Sequence, residues 1–164
     1  MPKPTRLLVL TALALSSILL IAQPASATPP SVETFHDEGE FLLEDCGTFL
    51  LTETFTADVR VTTFFNSQGD AVRATEHVNY VGVITNSLSG NTYPDPGHFQ
   101  VITDLTTGET TIVGLIINIR VPGLGPVALD VGKVIFDANG DVTFVGGPHT
   151  VLLGTAPDPC TVLL

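Results

Sequence analysis

The sequence predicts an all-β domain, an antiparallel meander of about six to eight strands that closes into a small barrel, with a two-sheet sandwich as the alternative. Three observations predict it. From Phe49 onward, β-branched and aromatic residues alternate with polar ones. Short turns rich in Asn, Asp and Gly separate the alternating segments. No window beyond residue 27 combines a 3.6-residue apolar period with helix caps.

The elements follow in order. Leu51, Glu53, Phe55, Ala57, Val59 and Val61 fall on one face of the first strand, and Thr52, Thr54, Thr56, Asp58, Arg60 and Thr62 on the other. That period of two marks a half-buried strand. Asn66-Ser67-Gln68-Gly69-Asp70 turns the chain into a second strand, Ala71–Asn86, giving a long hairpin. Residues 87–97, rich in Gly, Asn and Pro, read as a loop, and 98–104 as a short strand. After the turn Thr106-Thr107-Gly108 comes the most apolar strand, Thr110–Val121. Its alternation puts Val113, Leu115, Ile117, Ile119 and Val121 on one face and Ile112, Gly114, Ile116, Asn118 and Arg120 on the other. Pro122-Gly123-Leu124-Gly125-Pro126 breaks it, and 127–137 is the next strand. In Asp137-Ala138-Asn139-Gly140-Asp141 the acids are misplaced for a calcium loop, whereas Asn-Gly between apolar strands is a hairpin signal. Residues 141–145 form a further strand, and 151–164 supply one or two more. Short consecutive turns favour a meander, and closing it removes sticky edges. A sandwich would alternate in the same way.

The two ends of the chain read differently. Residues 1–27 have the form of a secretory signal peptide: Lys3 and Arg6, an apolar run from Leu7 to Ile21, then Ala25-Ser26-Ala27. The run is shorter than the roughly 20 residues that span a bilayer, and no later stretch would cross a membrane as a helix. The chain is expected to be secreted and extracellular, with cell-wall association as a further option. Residues 28–45 read as an acidic, Pro-containing tail that becomes ordered near Phe41-Leu42-Leu43. Residues 46–164 then form a single β-domain. Cys46 and Cys160 are the only cysteines, and an oxidising compartment favours a disulfide between them. The bond would join the start of the domain to its last strand.

Composition narrows the function classes. The 164-residue chain carries a net charge of −11, and loss of Lys3 and Arg6 leaves 4 basic residues against 17 acids, or −13. Such a chain lacks the basic patch that nucleic acid requires. Its 44% hydrophobic content exceeds that of a disordered protein. No Ser has the G-x-S-x-G setting of a hydrolase. Glu53, Glu76 and Asp130 lie in strands and could meet as a glycosidase pair, but three strand acids are unsurprising in an acidic protein. The absence of Trp weakens sugar recognition. His36, His77, His98 and His149 show no local zinc spacing, so neither metal nor cofactor is expected.

The candidate ligand-binding residues are Arg60, His77, Asn118 and Arg120. Asn118 and Arg120 end a polar face that could line the mouth of a barrel and orient a ligand. The competing reading makes them a solvent face, with Arg120 paired to an acid.

The run Phe64-Phe65, Gly69-Asp70, Arg73, His77-Val78-Asn79, Gly97-His98-Phe99, Val113-Gly114-Leu115 and Phe136-Asp137 resembles small secreted proteins of unassigned function from high-GC Gram-positive bacteria. The absence of N-x-[ST] sequons fits a bacterial source. In shape alone the reading is similar to lipocalin-like and allene-oxide-cyclase-like barrels, although the Gly-x-Trp opening of lipocalins is missing. Neither resemblance implies catalytic residues. The first functional expectation is a binding barrel for a small apolar or amphipathic ligand. The second is an extracellular structural or interaction domain with a filled core. The third is a barrel isomerase or cyclase, which would need a buried cluster such as Arg60, His77, Asn118 or Asp130.

Overall fold

The computed structural model describes residues 28–164. The expected leader and its cleavage site, residues 1–27, lie outside the described residues. Seven strands form one antiparallel sheet in chain order: β1 (Ser31–Asp45), β2 (Leu50–Phe65), β3 (Ala71–Asn86), β4 (Thr92–Asp104), β5 (Thr110–Val121), β6 (Gly125–Phe136) and β7 (Val142–Gly146). A four-residue helix, α1 (Pro159–Val162), follows. The all-β meander is as expected. Among the described residues no ladder joins β7 to β1, so hydrogen bonding does not close the sheet. None of the described helices is long and apolar enough to cross a membrane.

The hairpin β2–β3 is the frame. Leu51, Glu53, Ala57 and Val59 are buried while Thr54, Asp58 and Arg60 are exposed, as the alternation requires. Val59 opposes Val78, and Leu51 opposes Asn86. At the hairpin turn the Asn66 side chain accepts the backbone N–H groups of Gln68 and Asp70. The β6–β7 turn works similarly, with the Asp137 carboxylate accepting the N–H groups of Asn139 and Asp141. Residues 137–141 are therefore a hairpin turn held by its own aspartate.

Four expectations need correction. The segment expected as an acidic tail is a 15-residue strand, β1, paired along its length with β2. Its side chains are nearly all exposed, which explains why composition suggested a tail. The short strand at 98–104 begins earlier, at Thr92, despite Pro94 and Pro96. Over that stretch β4 pairs only with β3, because its ladder to β5 covers His98–Thr103. A proline that lacks an N–H is tolerated on such an edge.

The third correction concerns β5. A bulge between Leu115 and Ile117 adds a residue and exchanges the two faces. Ile112 and Gly114 oppose the inward Val101 and Phe99, yet beyond the bulge it is Ile117 and Ile119 that oppose buried Asp130 and Ala128. Val113 is exposed. The single apolar face counted from Val113 to Val121 does not exist. Gly114 adopts φ 129°, and a side chain there would strike the backbone of His98 and Phe99.

Lastly, residues 151–164 contribute no strand. From Gly147 the chain forms a strap. It first extends the β6 edge, with Val131 N–H donating to Pro148 O at 2.8 Å and Thr150 N–H to Leu129 O at 2.9 Å. The buried Asp130 carboxylate then accepts the N–H groups of Val151 (2.9 Å) and Leu152 (3.2 Å). Within α1, Cys160 is bonded to Cys46 in the β1–β2 connection, with Cα atoms 5.5 Å apart. Leu163 enters the core, and Asn86 Nδ2 donates to its carbonyl at 2.8 Å. Tyr93 OH donates to Leu164 O at 2.6 Å.

One core cluster unites β2 (Leu51), β3 (Ile84), β4 (Tyr93), β5 (Ile119), β6 (Ala128) and the strap (Leu163), with Leu43 of β1 packed against it. The sheet thus bends around a shared interior. A second cluster, Ala57, Val59 and Val78, lies further along β2 and β3.

The bond spans 114 residues, so chain entropy predicts that Cys46→Ser with Cys160→Ser lowers stability by about 5 kcal/mol. Urea unfolding of the two proteins measures the difference. A loss below about 1 kcal/mol would mean that the strap is held by its other contacts alone.

Candidate functional site

The bent sheet and the strap enclose a cleft of about 400 Å³. Its walls are mostly apolar: Phe41 of β1, Ile117 and Ile119 of β5, Ala128 of β6, and Val151 and Pro157 of the strap. Four polar residues line it: the exposed Glu44 at its edge, and Glu53, Tyr80 and Asp95 deeper in. The last three come together because a glycine sits between them. On the inner face, Phe55, Gly82 and Asp95 are directly opposed across β2, β3 and β4. Glu53 is two residues from Phe55, and Tyr80 two residues from Gly82. A Cβ at Gly82 would collide with Glu53 Oε1 and with the Tyr80 ring. The missing side chain lets the Glu53 carboxyl lean across β3 and accept the Tyr80 hydroxyl at 2.7 Å. Phe55 stacks on Tyr80, with centroids 5.5 Å apart, and fixes the ring.

Asp95 has a structural reason to be here. The β4–β5 ladder ends at His98–Leu115, leaving backbone groups of β5 without strand partners from β4. The Asp95 carboxylate replaces the ladder by accepting Asn118 N–H at 2.7 Å. Both acids are deeply buried, Glu53 at 3% and Asp95 at 6% exposure. Burial pushes the Glu53 carboxyl above the ordinary carboxylate range; the Tyr80 hydrogen bond opposes this, and the Asp95 charge adds to it. Burial likewise raises Asp95, opposed by the Asn118 N–H. The Tyr80 phenol is pushed up by burial and by its bond to Glu53. Burial therefore makes both the Glu53 and the Asp95 carboxyl resist ionisation.

The candidates chosen from sequence do not form one site. Arg60 and His77 are paired across β2–β3 on the outer, exposed face. With His36, Asp58 and Asn79 they border a more open depression of about 480 Å³. His36 pairs with Asp58 at 2.8 Å, and that bond raises its pKa. Gln100 Nε2 donates to His77 Nε2 at 3.3 Å. Asn118 is buried rather than solvated, and its carbonyl accepts from Arg120 Nε at 3.1 Å. Arg120 thus bonds an amide where an acid was expected. Asn118 serves the cleft through its backbone N–H on Asp95. Asp130 is committed to the strap, so Arg60, His77, Asn118 and Asp130 make no common buried cluster. His149 Nδ1 is buried without a hydrogen-bond partner. No group of His, Cys, Asp and Glu among the described residues gathers as a metal site.

Glu53, Tyr80 and Asp95 were not singled out as a group from the sequence. The available signals were an acid on an otherwise apolar strand face and a glycine inside Val81-Gly82-Val83. No protein-family model, curated protein sequence or solved structure matches the chain.

The raised carboxyls carry a sign for stability. Below about pH 3 the acids are protonated in both folded and unfolded chains, so they add no pH dependence there. As pH rises, the unfolded chain ionises first and stability falls until the folded carboxyls also ionise. Glu53→Gln with Asp95→Asn keeps both acceptors and removes both titrations. The double variant is expected to match the wild type at pH ~2.5 and to be the more stable protein at pH ~7.5. Equal urea midpoints at both pH values would show that burial does not strain these acids.

Proposed function

We propose that the protein is exported and binds a small apolar or amphipathic molecule within a barrel-like interior. The observation that carries this reading is the apolar cleft with three polar groups gathered at Gly82. Its volume is at the lower end of small-molecule sites, and its few convergent polar groups are what such sites use to orient a ligand. Strand spacing favours the barrel-like arrangement. In a flat sheet β1 and β6 would lie five spacings, roughly 24 Å, apart. Phe41 of β1 and Ala128 of β6 nevertheless line the same cleft. The strap fills the gap that strand pairing leaves. Export is supported by the sequence of residues 1–27 and by the disulfide.

A second reading, an interaction domain, is favoured by the free edge of β1. Among the described residues no strand pairs with the outer side of its 15 residues, and Val32, Phe35 and Leu42 are about half exposed. Such an edge is a template for added strands.

A neutral solvatochromic dye separates the two. The binding reading predicts saturable emission on mixing with native protein. Ala128→Phe, which fills the cleft, is expected to weaken the dye by about tenfold or more. Equal dye affinity in both proteins would remove the cleft as the binding site.

A further inference from the structure

Among the described residues the cleft is lined by two buried carboxyl groups, Glu53 and Asp95, by the exposed Glu44, and by no cation. Among the described residues, Glu53 accepts a hydrogen bond only from Tyr80, and Asp95 only from Asn118 N–H. Neither Glu53 Oε2 nor Asp95 Oδ2 has a protein partner among the described residues, yet neither is sealed from solvent as His149 Nδ1 is, so both can be reached from the cleft. No Lys, Arg or His of the described residues lines the cleft. The ion pair His36–Asp58 is on the outer face. Buried carboxylates are costly unless a counter-charge reaches them. The fold does not require Glu53: its neighbours on that face, Leu51, Phe55, Ala57 and Val59, are apolar, and a leucine would satisfy the same pattern.

Building on the binding reading, we propose that the ligand is a cationic amphiphile, a protonated primary amine on an alkyl or aryl body. The body would lie against Ile117, Ile119 and Ala128. The ammonium group would donate to Glu53 Oε2 and Asp95 Oδ2, supplying the charge that the protein leaves out. Three N–H donors on one compact centre suit two carboxylates converging from β2 and β4. A fatty acid would bring a third negative group to the same place. An alcohol would fill the apolar part and bring no counter-charge to the carboxyls. The excess of acids over the whole chain also raises the local concentration of cations, which assists encounter.

Calorimetric titration of the disulfide-bonded protein with three matched probes, decylamine, decanol and decanoate, tests the proposal near pH 7.5. Decylamine is expected to bind about tenfold or more tighter than decanol, with decanoate weakest. In Glu53→Gln with Asp95→Asn the preference for the amine over decanol is expected to vanish. A cooperative urea transition reports that this variant is folded. If decanol binds and decylamine binds no tighter, the amine proposal fails and the binding reading stands. If the double variant keeps the preference, surface charge is its source and the proposal fails. If no probe binds, both readings fall together.

Discussion

The fold depends on how the C-terminal strap is fastened to an open meander. Chain order and sheet order coincide, so β1 and β7 are the two ends of the sheet and do not pair. With only five residues, β7 is too short to match the 15 of β1. The strap ties distant parts of the sheet together by other means. It hydrogen-bonds to β6 and is fixed to the β1–β2 corner by Cys46–Cys160. Leu163 enters the same cluster as Leu51 and Ile84. A covalent bond and a buried leucine thus link the strap to strands it does not pair with. Val151, Ala156, Pro157 and Pro159 of the strap line one side of the cleft.

The cleft is also where the fold accepts an electrostatic cost. Asp95 has a structural task, since it caps the β5 backbone where β4 no longer pairs with it. Glu53 has none of comparable weight. Its carboxyl is retained over Gly82 by the Tyr80 hydroxyl, in a position that burial makes unfavourable for charge. A group kept in place against its own solvation is a mark of sites that act on something else. By contrast, the outer face with Arg60, His77 and the His36–Asp58 pair is solvated and costs little.

Much of the fold was legible because period-two alternation and turn chemistry are local. Leu51 to Val61, the Asn66–Asp70 turn and the Asn139-Gly140 hairpin needed only neighbouring residues. What failed was non-local. The β5 bulge exchanges faces at Leu115–Ile117, and nothing in Val113-Gly114-Leu115-Ile116-Ile117 announces which residue is the extra one. Prolines 94 and 96 suggested a loop because a strand edge without a second neighbour cannot be seen in one dimension. β1 was hidden because its side chains are polar and exposed, and its partner β2 supplies most of its order. The site was hidden for a related reason. Glu53, Tyr80 and Asp95 lie on three strands and meet through the absence of a side chain at Gly82. Arg60 and Asn118 looked chemically richer, but one faces solvent and the other is buried as a hydrogen-bonded support.

The central claim is that the interior beneath the strap, and not the outer face, receives a ligand. Methyl NMR with decanol as titrant tests it most directly, since both surfaces report at once. The account predicts saturable shifts at the methyl groups of Ile117, Ile119 and Ala128. Shifts confined to residues around His36, Arg60 and His77, or none up to the solubility limit of decanol, would contradict it.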